Sequence, residues 1–479
     1  MNRYRDSKES LSHFVSAVEA MLKTHPREDG IVAVARAPAV LDVMGGIGED
    51  SGSLLLTATT GLAFHVAAWR TAGQAVHLRW AAQDAAVEHS DDSLPIAMLA
   101  STPAAEIANR CRRDGVEWAA PSLLILHHLW ARTGEPGAET GLALVIDTDF
   151  PPAADLGRLH VQAAATIDTI YKLFGLEADP NAQSRICAET VGLLEGLCHA
   201  RKAMTALCAP PDGGLLQLRF EPGNPICEPL RLPEDVIIKG VSTRLGRPTT
   251  RRRLIETRTC SEMGHRMILH LQQRDGARPD PRGSRLSAIT PTEFVERYRD
   301  RMPSKITRQD FLSKFGTVRG LDGDGADPKA VFKIRSRAEH HIYENRRVHD
   351  FATNIVRARR NRSEEALNTA GGLMYASHWS HSQRCGIGGV ETDRLVSFIR
   401  GHGAEAGLFG AKVTAGGEGG ELVVLMRDDD RAHAALRDAV ARAEEVSRQP
   451  VHVFEGCLPG ARASEALDLT TLVDSAGAV

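Results

Sequence analysis

The 479-residue sequence predicts a protein of mixed helices and strands that is divided into more than one domain. Three observations support this fold class. Short, continuous apolar runs, of which residues 141–148 are an example, are typical of buried strands. Longer segments such as residues 161–176 carry apolar residues at helical spacing. The chain is also long enough for two or three domains with sizeable cores.

The individual elements follow from local patterning along the chain. Strands are predicted at residues 31–37, 54–70, 75–80, 141–148, 214–220, 235–242 and 451–456, with a β-turn-β unit around residues 410–420. Helices are predicted at residues 9–24, within 97–132, from about 161 to 176, and at 183–206, 337–361, 363–380, 390–403 and 430–446. Two stretches rich in Gly, Pro and charge, 274–285 and 321–330, are predicted loops, and the first marks a domain boundary.

Composition excludes several classes of function. The chain is 42% apolar and 25% charged with a net charge of -3, which gives no argument for nucleic-acid or membrane binding. Only 5% of the residues are aromatic, so a base-stacking surface is not indicated. The eight cysteines include no C-x-x-C pair and the first residues are polar, which predicts a cytoplasmic protein with reduced thiols. No apolar run approaches the roughly 18 residues of a membrane helix.

Two glycine-rich segments are the most informative motifs. Residues 37–52, APAVLDVMGGIGEDSG, form a Pro/Gly-punctuated loop whose acids Asp42, Glu49 and Asp50 can accept hydrogen bonds from sugar hydroxyls. Residues 410–420, GAKVTAGGEGG, run from a strand into a turn where backbone amides can approach an anion. The glycines of this turn are Gly416, Gly417, Gly419 and Gly420.

These segments resemble the first and third motifs of the GHMP small-molecule kinases, in the L-arabinokinase and galactokinase branch. The stretches HHIYENRRVHDF (340–351) and LMYASHWSHSQRCGIGGVETDRLV (373–396) resemble the same family in the same order. The resemblance implies an α+β fold of two domains with a ligand cleft between them. A mixed-sheet domain would span residues 1–270, and a ferredoxin-like domain 271–479. It also implies that Asp42 and Glu49 face a sugar, whereas Asp50 replaces a tyrosine of the arabinokinase pattern.

The second motif of that family is a phosphate-binding loop that opens a helix, and the matching stretch here is FPPAADLGRLHVQAAAT (150–166). Asp155, Leu156 and Gly157 form its anion-loop candidates. Asp155 replaces a glycine and would place a carboxylate beside triphosphate, where like charges repel. Arg158 and Leu159 replace the two serines, of which one helps to hold magnesium. Arg158 can still bind a phosphate bidentately and is a candidate catalytic residue.

The family's catalytic aspartate aligns with Lys202 in HARKAMTALC (199–208). A lysine acts as a base only when burial or its neighbours strongly lower its pKa, so Lys202 is a candidate for different chemistry. The arginine of the first motif is also replaced, by Val40. In the region 242–258, arginines stand where the family has small residues, and we expect Arg244 and Arg247 to bind an anionic ligand. A solvated basic surface is the alternative for this segment.

Three functions are compatible with these residues. The first is a scaffold that binds a sugar or an anionic sugar derivative and in which ATP-dependent phosphoryl transfer is lost or replaced. The second is an active ATP-dependent sugar 1-kinase, and the third is a non-catalytic pseudokinase that senses or scaffolds. The cofactor is unknown, and Mg-ATP is expected only if the ancestral activity survives. His340, His341, His378 and His381 are expected to pack without metal, so no metal site is predicted.

Overall fold

The computed structural model of the chain describes residues 7–82, 90–133, 140–151, 156–196, 198–220, 226–243, 248–276, 285–321, 327–414 and 420–462. The helices are α1 (Ser7–Thr24), α2 (Ile96–Ser101), α3 (Ala104–Arg113), α4 (Ala120–Thr133), α5 (Arg158–Phe174), α6 (Pro180–Glu195), α7 (Ala200–Cys208), α8 (Pro248–Arg274), α9 (Pro291–Glu293), α10 (Arg308–Phe315), α11 (Ile334–Asn361), α12 (Glu364–Ser380), α13 (Val390–His402) and α14 (Asp430–Ser447). The strands are β1 (Ala33–Met44), β2 (Leu55–Thr71), β3 (Ala75–Trp80), β4 (Asp91–Pro95), β5 (Gly141–Thr148), β6 (Leu215–Arg219), β7 (Ile226–Leu230), β8 (Val236–Ser242), β9 (Ile306–Thr307), β10 (Val331–Phe332), β11 (Leu408–Val413), β12 (Glu421–Arg427) and β13 (His452–Glu455).

A mixed sheet of seven strands forms the N-terminal half. Its order is β4-β3-β5-β2-β6-β7, with β1 paired along the other edge of β2. All pairs are antiparallel except β3 with β5. The register of β1 on β2 shifts between Pro38 and Val40 and again between Asp42 and Met44. Such bulges re-aim the side chains beside them, and here they lie in the first motif.

A second sheet of four antiparallel strands has the order β11-β12-β8-β13. This order, with α14 between the last two strands in the chain, confirms the ferredoxin-like unit that the resemblance implies. Strand β8 lies before residue 270 and pairs with strands after residue 420, so the sheet joins both sides of the predicted domain boundary. The division at residue 270 stays a prediction.

A hydrophobic core separate from those of the two sheets lies between α8, α10 and the first half of α11. The second half of α11 contributes Val348, Phe351 and Ile355 to the core of the seven-stranded sheet. The 28-residue helix α11 therefore ties two cores together. None of the helices in the described ranges combines the length and the apolarity that crossing a membrane requires.

One difference from the predicted elements shapes the candidate site. The sequence predicts one helix over residues 183–206, but the chain ends α6 at Glu195 with Gly196 in the left-handed region at φ 75°. A new helix, α7, begins at Ala200. Glycine adopts positive φ without a steric penalty, and the break therefore comes at Gly196. The turn places Arg201 and Lys202 in the first turn of α7.

Candidate functional site

The first motif ends β1 and turns back through Gly45, whose φ is 83°. A Cβ atom at Gly45 would lie 2.6 Å from the carbonyl oxygen of Leu54, so only glycine fits this turn. The Gly45 amide donates to Oε1 of Glu344 on α11 at 3.3 Å. Tertiary contacts thus fix the turn that carries the three acids of the motif.

Arg201 on α7 binds two of those acids at once. Its Nε donates to Oδ1 of Asp42 at 2.7 Å, and one terminal nitrogen donates to Oδ2 of Asp42 at 3.1 Å. The other terminal nitrogen donates to Oε2 of Glu49 at 2.9 Å. The Ala200 amide completes the arrangement by donating to Oε1 of Glu49 at 2.7 Å. Asp42, Arg201 and Glu49, which we call the buried triad, therefore satisfy one another within the protein.

Burial decides the electrostatics of the triad. The side chains of Asp42 and Arg201 are each only 2% exposed, and Glu49 is 9% exposed. Burial raises the pKa of Glu49, and the Arg201 cation opposes that rise. Burial lowers the pKa of Arg201, but the two carboxylates raise it by more, so this side chain stays charged. The candidate sugar acids Asp42 and Glu49 already share one internal cation, which compensates one of their two negative charges, and their contact with a sugar stays a prediction.

The N-terminus of α5 collects positive charge. Leu156 and Gly157 precede the helix with φ of 36° and 77°, and the Leu156 carbonyl accepts the Val40 amide at 3.0 Å. The side chain of Lys202 lies against Gly157, because a Cβ atom built on Gly157 would be 3.0 Å from Cδ of Lys202. Lys202 is buried in this position. The N-terminus of a helix favours anions, and the positive charge of the adjacent Lys202 adds to that preference.

Two buried histidines accompany these cations. His160 on α5 and His199, which precedes α7, have pKa values well below the ordinary value, because both are buried and lie near Lys202 and Arg201. Nδ1 of His199 is 3.7 Å from Oε2 of Glu49. The two imidazoles are therefore neutral. They lie near Lys202 and Arg201 and carry no charge of their own.

Arg158, the other candidate catalytic residue, lies on aromatic rings. Its guanidinium is 5.7 Å from the ring centroids of both Phe64 and Trp80. This is the geometry of a cation–π contact. A role of Arg158 in phosphate binding stays a prediction.

Asp50 lies on the other side of the first-motif turn and forms an ion pair with Arg258 of α8. A terminal nitrogen of Arg258 donates to Oδ1 of Asp50 at 2.8 Å, and its Nε lies 2.8 Å from Oδ2 as part of the same ion pair. A cavity of about 300 Å³ adjoins this pair, and its lining is almost entirely polar: Asp50, Ser51, Ser261, Glu262, His265, Arg285 and Leu286. We call it the Asp50 cavity. Nε2 of His265 is buried and has no hydrogen-bond partner among the described residues.

Several candidate residues lie outside the described part of the chain. These are Arg244, Arg247, Asp155, Gly416, Gly417 and Gly419. Gly420 is described: its φ is 75°, and its carbonyl accepts the Thr243 hydroxyl at 3.1 Å. The anion-binding roles of all these residues, including Leu156, Gly157 and Gly420, stay predictions.

Arg201, His160 and His199 were not among the residues that the sequence singled out. One signal pointed toward Arg201: the first motif has Val40 in place of an arginine, and an arginine stands directly before Lys202. The sequence alone does not show that Arg201 contacts Asp42, because the two residues are 159 positions apart in the chain.

Known proteins resemble the chain both in sequence and in fold. It is 26% identical over 494 aligned residues to L-arabinokinase of Arabidopsis thaliana, a match that covers 90% of this chain and 46% of that protein. It is 32% identical over 94 residues to galactokinase of Thermotoga maritima, which covers 20% of this chain and 24% of that one. The chain therefore matches less than half the length of each of these two relatives. No protein-family model matches the chain.

The solved structure of Lactococcus lactis galactokinase complexed with galactose superposes with a TM-score of 0.68 at 17% identity. That superposition covers 93% of this chain and 98% of the galactokinase. Mevalonate kinase of Methanococcus jannaschii superposes with a TM-score of 0.55 at 12% identity, over 90% of this chain and 99% of that one.

The chain has the fold of the GHMP small-molecule kinases. Its sequence is similar to the L-arabinokinase and galactokinase branch of these proteins. A GHMP fold does not by itself fix the chemistry of its site. The function depends on the residues of the site, which here include the buried triad, Lys202 and the Asp50 cavity.

Proposed function

We propose that this GHMP sugar-kinase-like protein binds a sugar or an anionic sugar derivative, and that ATP-dependent phosphoryl transfer is lost or replaced by other chemistry. One observation supports the proposal: Arg201 binds two acids of the first motif, Asp42 and Glu49, from within the protein. The mechanism of the kinase branch implies a free carboxylate near the acceptor hydroxyl. The sequence alignment puts Lys202 at the position of that carboxylate, and Arg201 precedes it in the first turn of α7.

Phosphoryl transfer in this family requires a general base near the acceptor hydroxyl and a side chain that helps to hold magnesium. A general base must be unprotonated and within hydrogen-bond reach of the acceptor hydroxyl. The carboxylates of Asp42 and Glu49 are committed to Arg201, and a lysine ammonium cannot accept a proton. Arg158 and Leu159 also stand where the family has a serine that helps to hold magnesium, and neither offers an oxygen ligand. These residues therefore do not fit Mg-ATP.

The N-terminus of α5 favours an anionic ligand. Lys202 lies against Gly157 at the first turn of a 17-residue helix. A phosphate or carboxylate there would meet a lysine cation and the positive end of the helix dipole. The Asp50 cavity offers carboxylates, hydroxyls and an imidazole to sugar hydroxyls. We expect a ligand that combines both features, such as a sugar 1-phosphate or a uronic acid.

Calorimetric titration of the full chain tests this function. The ligands are sugar 1-phosphates, uronic acids, neutral pentoses and hexoses, Mg-ATP and Mg-ADP. We expect an anionic sugar to bind and Lys202→Met to weaken it at least tenfold, about 1.4 kcal/mol. Lys314→Met is the matched control, because Lys314 is exposed on α10 and should leave the affinity unchanged. Equal binding by the Lys202→Met variant would contradict the proposed site.

The second candidate is an active ATP-dependent sugar 1-kinase of the arabinokinase or galactokinase type. The similarity to L-arabinokinase over 90% of this chain favours it. Magnesium-dependent consumption of ATP with formation of a sugar phosphate would establish this activity. Ligand-induced stabilisation without any product would instead favour the third candidate, a pseudokinase that senses a sugar or scaffolds a partner.

A further inference from the structure

Three buried side chains that take no part in the proposed function converge beneath the first motif. They are His340 and Glu344, one turn apart on α11, and His381, which directly follows α12. One potential ligand atom from each lies within 4.8 Å of those of the other two. All three are almost completely buried. We propose that His340, Glu344 and His381 form a binding site for a divalent transition-metal ion, with zinc the best-matched ion.

Both imidazoles make their hydrogen bonds through Nδ1, and neither Nε2 has a partner among the described residues. Nδ1 of His381 is 2.9 Å from the Ser377 carbonyl, which can only accept, so this nitrogen carries the proton. Nε2 of His381 therefore has a lone pair, and it has no hydrogen-bond partner within the described ranges. Nδ1 of His340 is 2.8 Å from the Ser380 hydroxyl, and its Nε2 likewise has no partner there. Metal-binding histidines are commonly oriented in this way, through the other ring nitrogen.

The carboxylate of Glu344 supplies the negative charge. Arg347 donates to its Oε2 at 2.7 Å, and the Ser377 hydroxyl donates to its Oε1 at 2.5 Å. The Oε1 atom of Glu344 accepts two hydrogen bonds, from the Ser377 hydroxyl and the Gly45 amide, whereas Oε2 accepts only the bond from Arg347 within the described part of the chain. Oε2 therefore keeps a lone pair with which Glu344 can bind a metal. The neighbouring cations Arg347 and Lys412 repel the ion, and bonds to two otherwise unsatisfied imidazoles offset that repulsion.

The donor set selects the type of ion. Two imidazole nitrogens and one carboxylate oxygen suit zinc, whereas calcium and magnesium prefer oxygen ligands throughout. Zinc bonds of roughly 2.0–2.2 Å in tetrahedral geometry place ligand atoms about 3.4 Å apart. The ligand atoms lie within 4.8 Å of one another, so they need to approach by up to about 1.4 Å, and water can take the fourth position.

The position of the site indicates a structural role. Glu344 also accepts the Gly45 amide, and the neighbouring His341 contacts the Ser51 hydroxyl at 3.1 Å through Nδ1. A metal ion would thus join α11 to the end of α12 directly beneath the turn of the first motif. This inference is independent of which ligand the first motif binds.

Metal analysis of the full chain tests the inference. The purified protein is stripped with a chelator, reconstituted with zinc chloride, and dialysed against a weaker competing chelator before its metal content is measured. We expect one zinc ion per chain, and a loss of at least tenfold in zinc affinity for His381→Gln. His341→Gln is the matched control, because His341 is an equally buried neighbour outside the ligand set, and it should retain one zinc ion.

Cobalt reconstitution of the unaltered chain covers the case in which His381→Gln fails to fold. We expect the visible absorption bands of four-coordinate cobalt, and their disappearance when excess zinc is added. A wild-type chain that keeps no zinc and shows only the spectrum of hydrated cobalt would overturn the inference. A folded His381→Gln variant that keeps its zinc would overturn it as well.

Discussion

Replacement of Arg201 by methionine removes the cation that lies between two buried carboxylates. The variant keeps a side chain of similar length but loses the hydrogen bonds to Asp42 and Glu49. Removing one partner of a buried ion pair costs about 3–5 kcal/mol, because the remaining charge is left uncompensated. Burial already raises the pKa of Glu49, so this side chain can take up a proton in the variant and limit the loss. We therefore expect Arg201→Met to lower the free energy of unfolding by about 4 kcal/mol at pH 7.

The combined variant Asp42→Asn, Glu49→Gln, Arg201→Met is the matched control. It removes all three charges while keeping side-chain shapes close to the original. Neutral replacement of a whole buried ion network is often tolerated, so we expect it to lie within about 2 kcal/mol of the wild type. The deficit of Arg201→Met alone should shrink as the pH falls from 7 to 5, because the unpaired Glu49, whose pKa is already raised by burial, then takes up a proton.

Urea unfolding, followed by the fluorescence of the five tryptophans, measures these free energies. All three proteins are compared at the same pH and ionic strength. Two results would refute the reasoning. One is an Arg201→Met variant within about 1 kcal/mol of the wild type, which would mean that Arg201 does not compensate the two acids. The other is a combined variant as unstable as Arg201→Met, which would mean that packing rather than charge explains the loss.

Two further predictions concern stability. Burial lowers the pKa of His65 to about 3, so the folded state keeps it neutral while the unfolded state takes up a proton below about pH 6.5. The stability that this difference supplies is present above that pH and is lost as the pH falls. Between pH 7 and pH 5, unfolding free energies from urea titrations should therefore fall by about 2 kcal/mol less for His65→Gln than for the wild type; equal changes would contradict the assignment. Gly371 and Gly372 are neighbours on α12, but a Cβ atom on Gly371 would clash with the Phe409 carbonyl, whereas one on Gly372 would meet nothing within 4 Å. Thermal unfolding should show that Gly371→Ala destabilises the protein and that Gly372→Ala stabilises it by up to about 1 kcal/mol; the opposite order would show that α12 packs on β11 differently.

Local patterns in the sequence predicted most of the fold. The strand expected at residues 141–148 is β5, and the helix expected at 390–403 is α13. The pairing of β8 with β12 was not predictable in this way, because it joins residues far apart in the chain. The helix α8 was also missed, since its arginine-rich beginning lacks the apolar spacing that indicates a buried helix.

The candidate site was predicted less well than the fold. Asp42 and Glu49 bind Arg201, and Lys202 lies against Gly157 at the N-terminus of α5, but the roles of these residues stay predictions. The sequence does not reveal that Arg201 binds both acids, because that contact depends on the break between α6 and α7. Residue identities therefore indicated altered chemistry, and the three-dimensional contacts were needed to find the buried cation.

Under the proposed function, this GHMP fold no longer transfers the γ-phosphate of ATP in the ordinary way. The most direct measurement is transfer of radiolabelled γ-phosphate from Mg-ATP to a panel of pentoses, hexoses and uronic acids, with an active galactokinase as positive control. The proposed function predicts no labelled sugar above the protein-free background. Formation of a labelled sugar phosphate over many turnovers would contradict it and would establish a sugar kinase that works with a cation-filled site.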